Sequence, residues 1–221
     1  MNKLVIVRHG QTEWTNRFTG WTDIDIAPEG IEMTKKYALR LKKNNFSFDI
    51  GFTSVLQRGI KTLEIVLDVL NQQNIKVVKD KRLNERNYGD LQGQNKAEAV
   101  EIYGEKQVAL WRRSYTVRPP HGESLEDTYN RVIPYFRKAI MPRIKEGKRV
   151  IISGHSNSIR ALVKYLDKLS DKEIVNVNIP YCIPLIYEFD ENLHVISHSY
   201  LANDQEVQLV IESIKNQVKK V

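Results

Sequence analysis

The chain has 221 residues, of which 41% are hydrophobic and 28% are charged. This is the composition of an ordinary globular protein, and it excludes a disordered, collagen-like or coiled-coil chain. Thirty-four Lys and Arg against 27 Asp and Glu give a formal net charge of +7. Much of the excess is lysine scattered along amphipathic segments, which is typical of solvated faces. The charge therefore does not by itself indicate nucleic-acid binding, and a small polyanion is a third interpretation.

The chain carries one cysteine, Cys182, which excludes an internal disulfide and a cysteine-based zinc site. The longest apolar runs, such as Leu4–Val7, are far too short to span a bilayer, and no long apolar region of a signal peptide follows the N-terminus. The single cysteine fits a reducing compartment. We therefore expect a cytoplasmic protein with no membrane partner.

Strand-like and helix-like patterns alternate along the chain. In chain order they predict a strand over Lys3–Val7, a helix over Glu29–Asn44, a strand over Phe48–Ser54, a helix over Gln57–Gln73 and a strand over Ile75–Val78. A further helix starts at the capping box Ser124–Asp127, and Pro134 should kink this helix. It is followed by a strand over Arg149–Ser153, a helix over Ser158–Leu166, and strands over Ile183–Phe189 and Leu193–Ser199. This alternation predicts an α/β fold with a mainly parallel central sheet and helices on both faces, a single-domain α/β/α sandwich over residues 1–221. Residues 79–122, rich in glycine, proline and arginine, are interpreted as a functional loop region with short helices.

Polar side chains follow three of the predicted strands. The first strand leads into Arg8 and His9, the second is followed by Arg58, and the fourth leads into His155. Because ligands bind beyond the carboxyl ends of parallel strands, these residues can converge. Arginine binds phosphate bidentately, and a neutral imidazole can attack phosphorus. From the residues alone, a phosphate site and a set of ordinary loop residues with salt-bridge partners are about equally good interpretations.

Several other chemistries lack their motifs. The sequence has no Walker A pattern, no Gly-x-Gly-x-x-Gly, no His-Glu-x-x-His and no Gly-x-Ser-x-Gly. His194 and His198 are four residues apart but lie in a strand-like segment, where this spacing makes no helical metal clamp. We therefore expect no metal site.

At the N-terminus, the residues Leu4 to Trp14, with Arg8-His9-Gly10 at their centre, resemble the signature of the histidine phosphatase superfamily. Further blocks resemble the cofactor-dependent phosphoglycerate mutase family: Phe18–Trp21, Arg82–Gly93, Trp111–Tyr115, Gly122–Leu125 and His155–Leu162. The blocks extend over residues 3 to about 201, nearly the whole chain. A lone Arg-His-Gly is a weak signal, whereas this ordered set is specific.

The resemblance implies an enzyme that interconverts 3-phosphoglycerate and 2-phosphoglycerate, with 2,3-bisphosphoglycerate as intermediate and priming phosphate donor, and with no metal. His9 would be the phosphorylated nucleophile, and Glu85 would move the proton of the substrate hydroxyl. The positive charge of Arg8, Arg58 and His155 would stabilise the transferring phosphoryl group. The substrate-binding residues implied by the resemblance are Thr12, Thr15, Asn16, Thr19, Gly20, Arg86, Tyr88, Lys96, Arg112, Arg113, Ser156 and Asn157.

Two other functions stay open at this point. One is a phosphatase of the same superfamily, in which water accepts the phosphoryl group from small phosphate monoesters. Arg112, Arg113 and the Arg82–Gly93 block favour the mutase, because a broad phosphatase needs no such substrate clamp. The other is a non-catalytic polyanion-binding module. The expected partner is a small phosphorylated molecule, and a homo-oligomer is possible.

The sequence departs from the family pattern in three places. The stretch between Trp14 and Phe18 is two residues short, so the residue replacing the family's phosphate-binding asparagine is Thr15 by position or Asn16 by chemistry. Ser156 stands where glycine is usual. Only His121 and Gly122 separate Pro120 from Glu123, which is typical of the family members with a short loop.

Residues 205–221 form a moderately amphipathic tail with two interpretations. General experience with chain termini slightly favours a frayed, solvated tail. The family resemblance implies instead a mobile C-terminal segment that closes over the site and shields phosphohistidine from water.

Overall fold

The computed structural model describes residues 2–216. Its central sheet has the strands β1 (Asn2–Arg8), β2 (Ile50–Thr53), β3 (Lys76–Lys79), β4 (Val150–Gly154), β5 (Leu185–Phe189) and β6 (Val195–Tyr200). The strand order is β3-β2-β4-β1-β5-β6. β1 to β4 pair in parallel, whereas β5 and β6 are antiparallel. The predicted α/β fold with a mainly parallel sheet is confirmed.

The helices of the described chain alternate with these strands as far as β4. They are α1 (Pro28–Lys43), α2 (Gln57–Val69), α3 (Lys96–Tyr103), α4 (Glu105–Arg113), α5 (Leu125–Tyr135), α6 (Met141–Lys145), α7 (Ser156–Leu166), α8 (Asp171–Ile174) and α9 (Asp204–Asn216). α5 starts at the predicted Ser124 capping box, and directly after Pro134 and Tyr135 the helix changes to a π-helical segment, Phe136–Ile140. Over residues 2–216, none of these helices is long and apolar enough to cross a membrane.

The alternation of side chains along β1 separates the two faces of the sheet. Leu4 and Ile6 pack in the larger core cluster, to which α5 and α7 also contribute. Val5 and Val7 pack in a second cluster with residues of α1 and α2. Both faces of the sheet are therefore covered, which leaves the strand ends as the place where a cavity can open.

α9 packs against the body of the protein. Val207 and Ile214 lie in one apolar cluster with Tyr37 and Tyr181, and the Arg40 guanidinium donates two hydrogen bonds to the carboxylate of Glu206 at the start of α9. In the structure residues 204–216 form a helix whose apolar stripe has a partner surface that the sequence did not reveal. The rest of the predicted tail, residues 217–221, lies outside the described residues.

Candidate active site

The cavity of interest opens at the carboxyl edge of β1, β2 and β4. His9 directly follows β1, and its backbone N–H donates to the Gly154 carbonyl at the end of β4 at 3.0 Å. Arg58 lies in the first turn of α2, and His155 comes between β4 and α7. The rings of His9 and His155 are 5.1 Å apart between centroids. The parallel register thus brings together side chains that are 146 positions apart in the sequence (155 − 9).

His9 is held as a neutral imidazole. Burial, then the positive charges of Arg58 and Arg8, lower its pKa well below the ordinary value. Its Nδ1 lies 2.7 Å from the carbonyl oxygen of Gly10, so in the neutral ring the Nδ1–H donates there. This tautomer leaves the lone pair on Nε2, as a nucleophile requires.

Both arginines of this edge are fixed by backbone carbonyls. The Arg58 guanidinium donates to carbonyl oxygens of the 20–22 loop at 2.6 and 2.9 Å. Burial lowers its pKa to about 10, which leaves it charged at neutral pH. Arg8 donates to the Ile179 carbonyl at 2.7 Å, and its guanidinium carbon lies 3.8 Å from the centre of the Tyr181 ring. The two cations are therefore rigidly placed beside His9.

His155 is fully buried, with its Nε2 2.7 Å from the hydroxyl of Ser54. Burial, then the neighbouring charge of Arg58, lower its pKa well below the ordinary value. Within the described chain, its Nδ1 has no hydrogen-bond partner, and neither does the Nε of Arg8. Unpaired buried polar atoms are rare in proteins. These two point to a polar ligand.

Glu85 is the carboxylate of the cavity. Its Oε1 accepts a hydrogen bond from the backbone N–H of Arg86 at 2.7 Å and another from that of Asn157 at 3.0 Å. Asn157 lies in the first turn of α7, so a helix N-terminus and the adjacent backbone together orient the carboxylate. A carboxylate fixed in this way is well placed for proton transfer.

Positive charge dominates the lining of the cavity, whose empty volume is about 810 Å³, open solvent at its mouth included. The cationic lining residues are Arg8, Arg17, Arg58, Lys96, Arg112, Arg113 and Arg160. Glu85 is the only acidic residue among those lining the cavity within residues 2–216. In the same part of the chain, no group of three or more His, Cys, Asp and Glu residues could hold a metal ion. The lining is suited to a small molecule with several negative charges.

Lys96, at the start of α3, is a cation with an unusual pKa. Its Nζ donates to the carbonyl of Thr15 at 2.8 Å. Burial, then the charges of Arg112 and Arg8, lower its pKa to about 7. The ammonium group can therefore lose its proton near neutral pH unless an anion is bound beside it.

Most of the predicted substrate-binding residues line the cavity. These are Thr12, Thr15, Thr19, Gly20, Tyr88, Lys96, Arg112, Arg113, Ser156 and Asn157. Asn16 does not: it is exposed, and its carbonyl accepts a hydrogen bond from the backbone N–H of Lys96 at 2.8 Å. In the shortened loop the structure therefore brings Thr15, rather than Asn16, to the cavity.

Arg86 is also absent from the cavity lining. It is fully buried, and its Nη2 donates at 3.0 Å to both the Tyr88 hydroxyl and the Arg112 carbonyl. The family resemblance implied that Arg86 binds the substrate. The structure places it behind Tyr88 and Arg112, where it supports two residues that do line the cavity.

Sequence reasoning missed several lining residues. The main ones are Arg160, Tyr181 and Ile214. Arg160 donates from Nη1 to the Asn157 side chain at 2.9 Å. Its position three residues after Asn157 on a helix is a signal that could have been used. Tyr181 and Ile214 belong to no motif block, and only the packing of distant segments brings them here.

The chain belongs to the histidine phosphatase superfamily (branch 1), whose family model matches residues 4–200. It is similar to a 2,3-bisphosphoglycerate-dependent phosphoglycerate mutase from Treponema denticola, with 46% identity over 245 residues that cover 99% of each chain. The resemblance drawn from the motif blocks is confirmed. The span of 245 residues exceeds the 221 of this chain, so the relative contains residues that this chain lacks.

Solved structures share the fold at lower identity. A mycobacterial glucosyl-3-phosphoglycerate phosphatase superposes with a TM-score of 0.74 and 23% identity, over 90% of this chain and 96% of that one. The alpha-ribazole phosphatase from Shigella flexneri superposes with a TM-score of 0.72 and 19% identity, over 88% and 94% of the two chains. At such identity these likenesses establish the common fold.

Proposed function

We propose that this protein is a 2,3-bisphosphoglycerate-dependent phosphoglycerate mutase, an isomerase that interconverts 3-phosphoglycerate and 2-phosphoglycerate. The observation that carries the proposal is a neutral, buried His9 in a cavity lined by cations and one carboxylate, in a chain that is 46% identical along its length to a curated mutase. The role is one step of glycolysis and gluconeogenesis, and the proposed location is the cytoplasm.

His9 acts as the nucleophile in this proposal. Its Nε2 lone pair attacks phosphorus, an N–P bond forms, and the P–O bond to the leaving hydroxyl oxygen breaks. Arg8, Arg58 and His155 surround the phosphoryl group, and their hydrogen-bond donors stabilise the charge on its oxygens in the transition state. Because the arginines are already held by backbone carbonyls, little reorganisation is needed during the reaction.

Glu85 moves the proton. Its carboxyl group gives a proton to the oxygen that leaves phosphorus, and its carboxylate later takes a proton from the hydroxyl that attacks phosphohistidine. The two steps are the reverse of each other at different hydroxyl groups, so the net reaction moves a phosphoryl group between them. The backbone hydrogen bonds from Arg86 and Asn157 keep the carboxylate in place for both steps.

The cavity fits a bisphosphorylated primer. Five buried nitrogens have no partner in the described chain: Arg8 Nε, Arg86 Nε and Nη1, His155 Nδ1 and Arg160 Nε. Arg8 and Arg160 line the cavity, so their free nitrogens can serve the oxygens of an anion. When bound, 2,3-bisphosphoglycerate supplies the phosphoryl group that His9 carries. Arg112, Arg113 and Lys96 are proposed to hold the carboxylate and the second phosphate.

One experiment separates this function from a phosphatase. The protein is incubated with 3-phosphoglycerate, with and without 2,3-bisphosphoglycerate, and 2-phosphoglycerate and free phosphate are followed separately. A mutase forms 2-phosphoglycerate much faster than phosphate, and the primer accelerates it. Release of phosphate without 2-phosphoglycerate would identify a phosphatase, and binding without either product would identify a polyanion-binding module.

A further inference from the structure

Glu85 lies on a stretch of chain without regular secondary structure. The stretch joins two short 3-10 turns, Lys81–Leu83 and Gly89–Leu91, so no helix or strand ladder holds it. Proton transfer needs the carboxyl group within hydrogen-bond reach of a substrate oxygen. Other parts of the molecule must therefore fix this backbone.

Arg131, on α5, binds this stretch at three carbonyl oxygens. Its Nη1 donates to the carbonyls of Arg82 at 2.9 Å and Asn84 at 3.0 Å, and its Nη2 donates to the carbonyl of Glu85 itself at 2.8 Å. Arg131 is absent from the residues that line the cavity. Its guanidinium thus holds the backbone that carries Glu85 rather than a ligand.

Glu123 binds both Arg131 and the chain after Glu85, and we call Arg131 and Glu123 together the clamp. The Nε and Nη2 of Arg131 donate to its two carboxylate oxygens, each at 2.9 Å. The Glu123 carboxylate also accepts from the backbone N–H of Asn87 at 2.8 Å. The ion pair is largely buried, with 18% and 21% of the two side chains exposed. The backbone is therefore held both before and after Glu85.

Trp21 also binds the backbone carbonyl of Glu85, to which Arg131 donates. Its indole Nε1–H donates to the Glu85 carbonyl oxygen at 2.5 Å. Trp21 lies in the 20–22 loop, whose carbonyl oxygens accept the hydrogen bonds of Arg58. One carbonyl thus links the loop that fixes the phosphate-binding arginine to the residue proposed to move the proton.

We propose that Arg131, held by Glu123 and joined at the same oxygen by Trp21, is a positioning residue that sets the distance between the Glu85 carboxyl group and the reacting phosphoryl group. The inference rests on the proposed role of Glu85 as general acid and base. A displacement of about 1 Å at a reacting group can cost about 10²-fold in rate. Loss of the clamp therefore slows the steps in which Glu85 transfers a proton and spares those in which it does not.

The test compares two phosphoryl donors in Arg131→Lys, which keeps the charge but cannot form the forked set of hydrogen bonds. Phosphoglycerate leaves as an alcohol and needs the proton from Glu85, whereas the nitrophenolate of p-nitrophenyl phosphate leaves without one. We expect kcat with phosphoglycerate to fall by about 10- to 100-fold, with KM little changed. The rate of His9 phosphorylation by p-nitrophenyl phosphate should stay close to wild type.

The dependence on Glu85 is measured in a second background. In Glu85→Gln, adding Arg131→Lys should cause almost no further loss, because the positioned group is already gone. Trp21→Phe keeps an aromatic ring but removes the indole N–H, and should give the same selective loss, to a smaller extent. It also serves as the test variant if Arg131→Lys does not fold. Arg137→Ala, an exposed arginine further along the same helical segment, is the matched control and should behave as wild type.

Equal losses with both donors, or full additivity in the Glu85→Gln background, would overturn the proposal and leave Arg131 with a role in stability alone. Failure of the mutase function gives a different result. A wild-type protein that releases phosphate without forming 2-phosphoglycerate refutes the mutase, and the same comparison is then made between hydrolysis of glycerol phosphate and of p-nitrophenyl phosphate.

Discussion

The pKa values of His9 and Lys96 are lower than those of the same side chains in water, because both lie beside arginines with little access to water. Burial removes the hydration that stabilises a cation, and the neighbouring positive charges disfavour a further one. His9 is neutral and ready to act as a nucleophile, and the pKa of Lys96 lies at about 7. Motif recognition identifies both residues, but it says nothing of their protonation.

Replacing His9 by alanine should abolish turnover and leave the fold intact, since no other side chain is proposed to carry the phosphoryl group. Wild-type protein treated with labelled 2,3-bisphosphoglycerate should retain acid-labile, base-stable label, and His9→Ala should retain none. His194→Ala, an exposed histidine, is the control and should label normally. Label on the His9→Ala variant would refute the assignment.

Lys96 should make substrate affinity depend on pH. Below about pH 7 its ammonium is charged and attracts the polyanion, and above this value the free enzyme has lost that charge. The KM for phosphoglycerate should therefore rise between pH 7 and 8.5, by up to about tenfold per pH unit. Lys96→Arg keeps its charge over this range and should remove the rise. An unchanged pH profile of KM in Lys96→Arg would contradict the prediction.

At the level of secondary structure, the carboxyl ends of β1, β2 and β4 bring the arginine and histidine side chains together. Segments far along the chain complete the cavity around them. α7 supplies Asn157 to orient Glu85, and α9 supplies Ile214 to the cavity lining. The amphipathic pattern of the tail predicts a helix, but its partner, the cluster with Tyr37 and Tyr181, is assembled from distant residues. This is why the sequence could not decide between a frayed tail and a docked one.

Deletion of the residues after Asp204 should slow the mutase and increase the loss of phosphate to water, because it removes an apolar part of the cavity lining. A finer test is Ile214→Ala, which should raise the ratio of phosphate released to 2-phosphoglycerate formed. Leu209→Ala, at an exposed position of the same helix, should leave this ratio unchanged. An unaltered mutase rate and an unaltered release of phosphate in the truncated protein would refute a role for the tail.

Over the molecule as a whole, the positive charge behind the net value of +7 is unevenly distributed. Cations are concentrated in one cavity, where Glu85 is the only acidic lining residue within residues 2–216. Positive charge in the cavity can stabilise the negative charge of a phosphoryl group during its transfer, as a metal ion does in other enzymes. The net charge does not show where the cations lie, which is why it was a poor guide to the ligand.

Activity should persist in a chelator and be inhibited by vanadate. The arginines of the cavity supply the positive charge, and vanadate can adopt the five-coordinate geometry of the phosphoryl group in transfer. Turnover is measured with EDTA, with vanadate, and after exchange into fresh buffer. Activity that disappears in EDTA and returns with a divalent metal would instead indicate metal-dependent chemistry.

The class of fold, the family and the strand ends that carry His9, Arg58 and His155 could be predicted from the amino-acid sequence, because hydrophobic periodicity and motif spacing are local properties of the chain. The arrangement of these groups in space could not be predicted. Packing of distant segments turns Thr15 rather than Asn16 to the cavity, buries Arg86 behind Tyr88 and Arg112, docks α9, and brings Arg131 to the Glu85 carbonyl. Burial, pKa and hydrogen-bond geometry depend on contacts between residues far apart in the chain, and no local pattern encodes them.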